Sequence, residues 1–248
     1  MAEKETHPLK VRFSDAAWYE RASQTTVLLL GSGGIGSWVG FALARIGYPF
    51  MVYDFDLVED HNLGGQLFNT SHVGMLKTEA LEEVVKKFSG QDVTIYRDGK
   101  YTDKSPSNPV IIAAFDNMAA RKLAFEKWEE ALNEAPDEDK NEFIFIDGRL
   151  LAEDYRIYAV TSDKDRVAAY KTTLFSDDVQ DNIQCTLKAT THCSMSIAGD
   201  IIGVLNNHIA GIDELKQYGA VLKEIPAQII RSYPMFSYDI SNNIECLT

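Results

Sequence analysis

The sequence is poor in anything that would cross-link it. Its three cysteines, Cys185, Cys193 and Cys246, include no C-x-x-C pair. So odd and sparse a set does not make a disulfide framework, and the lack of paired cysteines excludes a four-cysteine zinc site. Long apolar runs are also missing: none approaches the ~20 residues a membrane helix needs. The first eight residues are polar and charged, without the apolar core of a signal peptide. These absences point to a soluble cytoplasmic protein with no membrane partner. Basic residues are scarce, 24 against 37 acidic ones, for a formal net charge of -13. That balance argues against a bulk electrostatic grip on nucleic acid, though not against a local basic groove. An acidic chain that handles phosphates must place its few cations well, because its overall field repels them. Internal repeats and low-complexity segments are absent too.

What is present reads as α/β. The 248 residues, 45% of them hydrophobic, are ample for one large core with a small appendage. Residues 9–24 form an amphipathic stretch that leads into the core. Thr25–Leu30 is a continuous apolar run of strand length, the pattern of a strand buried on both faces. A glycine-rich turn follows, then a helix over 37–46 stopped by Gly47, then a strand over 50–53. Further strands are expected at 93–96, 110–114 and 143–146, with helices at 76–88, 119–132 and 194–209. Residues 150–160 should continue the sheet in antiparallel fashion, and the tail from Ile225 suits a hairpin. The polar stretch 163–181 reads as a crossing loop. The expected fold is a Rossmann-like, mostly parallel sheet flanked by helices, with an antiparallel extension at one edge. The expected division is an N-terminal helical segment (1–24), a central domain (25–215) and a tail packed on it (216–248).

The turn carries the first chemistry. Gly31, Gly33, Gly34 and Gly36 lie between a buried strand and a helix. Glycines there permit a tight turn and close backbone approach to a phosphate, and the helix N-terminus offers unpaired N–H groups to the anion. Asp54, eighteen residues after Gly36, ends the next strand, where a carboxylate can accept hydrogen bonds from ribose hydroxyls. This pattern reads as nucleotide binding rather than a mere packing turn, but it does not choose among NAD, FAD and ATP.

The following segment is more specific. Asp54-Phe-Asp56 precedes an Asn62-Leu-Gly-Gly-Gln66 block, then Val73-Gly-Met-Leu-Lys77, and a later strand ends in Asp116-Asn117. This order resembles the ThiF/MoeB/HesA family of ubiquitin-like-protein activating enzymes over about residues 12–210. Simple nicotinamide dehydrogenases lack the N-L-x-x-Q and V-G-x-x-K pair. The resemblance implies ATP and Mg²⁺ as cofactors: Asp54 on the ribose, Gly34 beneath the nucleotide, Lys77 on the phosphates, Asn62 on phosphate or metal-bound water, and Asp116 on the metal. Asp56, Gln66 and Asn117 belong to the same motif positions. Each also has a plain structural reading: Lys77 as a surface lysine opening a helix, Asn62 as a turn residue, and Asp116-Asn117 as a helix N-cap.

The sequence departs from the family pattern at one cation. The family places an arginine before the final Gln of its Asn-containing block; here that position is Gly65, with Arg149 or Lys188 as possible substitutes. The family's N-terminal arginine, often supplied by a partner subunit, matches Arg12 first and Arg21 second. Cys185 stands where family members carry a crossover-loop cysteine, which some use as a nucleophile; Lys188 and His192 lie near it in sequence. A small buried hydrophobe is the equal alternative. Cys193 suits burial. No zinc is expected, and His61, His72 and His208 lack ligand spacing and read as structural or surface residues. The resemblance implies an enzyme, a short member of its family and a homodimer, that adenylates the C-terminal carboxylate of a small ubiquitin-like or sulfur-carrier protein with a Gly-Gly tail, or of a related peptide. A non-catalytic scaffold of the same fold and a nicotinamide-dependent oxidoreductase are the other readings.

Overall fold

The computed structural model describes residues 13, 16–90, 92, 94–96, 99–151, 154–175, 190–219, 224–232 and 241–245, of which 17, 95, 96 and 241–245 by backbone only. Arg12, Cys185, Lys188 and Cys246 lie outside the described residues.

Among the described residues, eight strands form one sheet in the order β3-β2-β1-β4-β5-β6-β7-β8. Strands β1 (Val27–Leu30), β2 (Phe50–Tyr53), β3 (Thr94–Tyr96), β4 (Val110–Ala113) and β5 (Ile144–Leu151) run parallel. Strands β6 (Asp154–Thr161), β7 (Gln228–Ser232) and β8 (Ser241–Glu245) continue antiparallel from β5. Every residue of β1 and β4 is buried, as continuous apolar runs require when helices cover both faces of a sheet.

Alternation along the strands divides the core in two. Val27, Leu29, Ile112 and Ile146 pack with α2 (Gly36–Ile46), α3 (Lys77–Ser89) and α6 (Thr191–Tyr218), and α1 (Ala17–Gln24) lies against α6. Leu28, Leu30, Ile111 and Phe145 pack on the other face against α4 (Met118–Glu134) and α5 (Lys164–Lys171). Trp128 of α4 is fully buried there, and its Nε1 donates to the Pro109 carbonyl at 3.0 Å.

The fold is the expected α/β sheet with an antiparallel flank, but several details differ. The first part of the stretch expected as a crossing loop, 163–181, is helix α5. Asp163 caps it, its carboxylate accepting from the amides of Asp165 at 2.8 Å and Arg166 at 3.0 Å. Strand β5 runs to Leu151 rather than Ile146 because all eight of its residues pair with β6. Helix α6 extends past Ile209 to Tyr218, so the expected boundary at 215 falls inside it, and β7 and β8 join the same sheet. No helix among the described residues is long and apolar enough to cross a membrane.

The strand order decides where a site can form. From β1 the chain passes to β2 on one side, and it later returns to β4 on the other. Such a reversal opens a crevice beyond the carboxyl ends of β1 and β4, where open α/β sheets bind ligands.

Candidate nucleotide site

The glycine loop closes this crevice. Gly31 has φ +97°, and a Cβ on it would sit 2.7 Å from the Ala114 carbonyl oxygen. A Cβ on Gly36 would fall 1.8 Å from the Gly31 carbonyl oxygen. Side chains at these two positions would force the loop apart, and their absence lets the backbone fold over the start of α2.

Asp54 ties the loop to β2. Its carboxylate accepts from the Ser32 amide at 2.6 Å and the Asp56 amide at 2.9 Å. Burial pushes its pKa above the ordinary carboxylate range, against the opposing pull of Lys77 and the two amides. Each oxygen keeps a lone pair, and a poorly hydrated carboxylate suits a hydroxyl donor such as a ribose diol. Sequence reasoning missed Ser32. It is fully buried, and its hydroxyl has no hydrogen-bond partner among the described residues.

Lys77 opens α3 from beside Asp54. It is 7% exposed, its Nζ lies 2.8 Å from an Asp56 carboxylate oxygen, and its amide donates to the Asp56 carbonyl at 2.9 Å. A plain surface lysine would not be buried in this way.

The block from Asn62 to Gln66 packs on the start of α2. Asn62 is buried, and its side-chain oxygen accepts from the Glu59 amide at 2.9 Å, the turn geometry its sequence allowed. Trp38 donates through Nε1 to the Gly65 carbonyl at 3.0 Å, and Ser37 accepts from the Leu67 amide at 3.1 Å. The Gln66 amide nitrogen faces Gly33, while its oxygen is buried without a partner among the described residues. Thr191, at the start of α6, donates to the Gly64 carbonyl.

Asp116 and Asn117 follow β4 on the other side of the crevice. Both are exposed. The Asn117 side-chain oxygen caps α4 by accepting from the Ala120 amide at 2.8 Å, and its nitrogen donates to Asp116 at 3.3 Å.

Arg149, one candidate for the cation missing at Gly65, is engaged elsewhere in this structure. Its Nε bonds Asp147 at 2.6 Å, its other nitrogens hold Thr173, and its guanidinium lies 4.6 Å from the Tyr158 ring centroid. Arg21 stands at the opposite end of the sheet. It pairs with Asp213 at 2.6 Å and Glu142 at 3.3 Å, beside the Thr25, Pro109 and Val110 ends of the strands. Cys193 is buried. His72 is buried and accepts from the Asn69 amide, whereas His61 is exposed beside Glu59.

These features fit a nucleotide and its metal. Two positions exclude a Cβ, two buried polar atoms lack partners among the described residues, and a buried lysine is held by a carboxylate that a phosphate oxygen can replace. The described residues hold no cluster of three or more potential metal-binding side chains. Mg²⁺ needs only one or two carboxylates besides phosphate oxygens and water, and exposed Asp116 can supply one.

Fold and crevice together define an α/β protein with an open crevice at the reversal point of its sheet. The model of the ThiF family matches residues 7–222, and the chain belongs to that family. Among curated proteins, it is 32% identical over 111 residues to the SUMO-activating enzyme subunit uba-2 of Caenorhabditis elegans, covering 42% of this chain and 19% of that protein. It is 35% identical over 72 residues to ubiquitin-like modifier-activating enzyme 5 of Arabidopsis thaliana, covering 29% of this chain and 17% of that one. The matches thus span about a fifth of those relatives' lengths. Among solved structures, MccB of E. coli with ATP superposes with a TM-score of 0.65 at 15% identity, over 92% of this chain and 65% of that chain. PaaA gives a TM-score of 0.66 at 15% identity, over 92% of this chain and 66% of that one. These structures share the fold.

Proposed function

We propose that the chain is an ATP-dependent adenylyltransferase that activates the C-terminal carboxylate of a peptide or small carrier protein. One observation carries this reading: Asp54, bound to the Ser32 amide of the glycine loop, stands beside buried Lys77 at the mouth of β1 and β2. A ribose acceptor and a desolvated cation so placed suit a nucleoside triphosphate better than a dinucleotide, which needs no lysine at this point.

In the proposed reaction, a carboxylate oxygen of the substrate attacks the α-phosphorus of ATP. The bond to the bridging oxygen breaks, pyrophosphate leaves, and an acyl-adenylate remains. Asp54 would hold the ribose and the loop amides the phosphates, with Gly34 beneath them. Lys77 would neutralise charge growing on the phosphate oxygens, and Asp116 would hold Mg²⁺. Asn62, Gln66 and Asn117 would orient the loops around them. Arg12 is proposed to supply a further cation in place of the residue missing at Gly65. Transfer of the acyl group to the Cys185 thiolate would release AMP.

Support for a C-terminal substrate comes from the relatives: two are named as activating enzymes of ubiquitin-like modifiers, and MccB has been crystallised with MccA. ATP–pyrophosphate exchange tests the proposal, with peptides and small Gly-Gly-ended proteins as acceptors. Exchange should depend on the acceptor carboxylate and fall at least about a hundredfold in Asp116→Ala. Tight NADH binding with no ATP binding in calorimetry would overturn it.

A further inference from the structure

Beneath the Asp116 loop lies a buried charged group that the proposed chemistry leaves unused. Asp147, near the middle of β5, is fully buried. One carboxylate oxygen accepts from Arg121 Nε at 2.8 Å; the other accepts from Arg149 Nε at 2.6 Å and the Tyr170 hydroxyl at 3.0 Å. Burial, then the Asp147 charge, pushes the Tyr170 phenol far above its ordinary range, so it stays a proton donor.

Arg121 is 6% exposed, and Asp147 uses only one of its donors. Three others reach the carbonyls of Phe115, Asn117 at 3.4 Å and Gly148 at 3.1 Å. Phe115 and Asn117 flank Asp116. From the other side, the Ala114 amide bonds Leu30 at 2.8 Å, and Gly31 packs so closely that it has no room for a Cβ. The backbone around Asp116 is therefore clamped between the glycine loop and a guanidinium. The Asp116 carboxylate is itself exposed, so its direction is set by that backbone.

We propose that Arg121, oriented by Asp147, is a positioning residue that aims Asp116 at the metal; this rests on the adenylation reading above. Arginine suits the task because its planar fork meets several acceptors at fixed angles, whereas a lysine ammonium is a single point of charge. Partners that orient a metal-binding carboxylate typically change metal affinity or activity by about 10–100-fold when removed.

The test measures the Mg²⁺ dependence of ATP–pyrophosphate exchange in the full chain, alongside ATP binding without metal and the melting temperature. Arg121→Lys and Asp147→Asn should raise the Mg²⁺ midpoint about tenfold or more and leave metal-free ATP affinity within about threefold. Trp128→Phe, a core change in the same helix, should lower the melting temperature without moving the midpoint. Because Arg121 acts through Asp116, Arg121→Lys should add nothing further in an Asp116→Asn background. An unmoved midpoint in a folded, active Arg121→Lys, or additive losses in the double variant, overturns the positioning role and leaves the adenylation reading intact. A wild-type chain that binds no ATP overturns both.

Discussion

At the scale of single residues, what could be read from the sequence depended on whether a motif fixes backbone or side chain. Gly31 and Gly36 were legible because a loop with no room for a Cβ accepts only glycine. Asp54 was legible because strand ends fix position. Ser32 was not: its contribution is an amide, which every residue but proline owns, so no letter marks it. Asp147 left a trace, a lone carboxylate closing an apolar strand, but its partners Arg121 and Arg149 are identified only by folding. His208, read from the sequence as structural or surface, has a thermodynamic role. Its Nε2 is enclosed with no partner among the described residues, and burial lowers its pKa from 6.5 to about 4, against a hydrogen bond at the Glu142 backbone. The unfolded chain therefore takes up this proton near pH 6.5 and the folded chain only near pH 4. The contribution is present above pH 6.5 and lost as pH falls toward 4, by up to about 3 kcal/mol. Urea midpoints measured across that window should flatten in His208→Phe relative to wild type; parallel curves would refute the assignment.

Elements differ in the same way. Strands β1 and β4 announce themselves as unbroken apolar runs because helices cover both their faces. Helix α5 does not. Val167 and Tyr170 are the only large apolar residues among its eight, too few to draw a stripe, and Tyr170 alone is buried. What makes it a helix is the capping carboxylate of Asp163 at one end and tertiary contacts along its length. Arg166 reaches the Ile225 carbonyl at 2.9 Å, and Lys171 pairs with Glu129 at 2.6 Å. Removing the cap with Asp163→Ala should cost about 1 kcal/mol, seen as a drop of roughly 2–4 °C in melting temperature for a chain of this size. No drop would show that the tertiary contacts alone hold α5. Strand β5 was under-read for a related reason: beyond Ile146 its pattern breaks at Asp147-Gly148-Arg149, and there it is held by pairing with β6, joined at Asp147 by Ala113 of β4.

For the whole molecule, topology was the most legible property, because the alternation of strands and helices admits few arrangements. Charge leads further. The chain carries a formal charge of -13, and Lys77, the buried lysine beside Asp54, is already satisfied by Asp56 at 2.8 Å. The lysine therefore never stands bare, and an arriving triphosphate takes over a lysine that Asp56 has been holding rather than a hydrated one. It also means that the resting crevice offers little attraction at a distance while the surrounding protein repels. Nucleotide capture should then run opposite to that of a basic phosphate site: added salt screens the repulsion and quickens association. Stopped-flow binding of a fluorescent ATP analogue should show an on-rate that rises between low and physiological ionic strength. A falling rate would mean that cations outside the described residues do the steering. Under the proposed function, a protein built this way would gain selectivity from exchange at close range, and its encounter with ATP would grow easier as the solution around it becomes more crowded with ions.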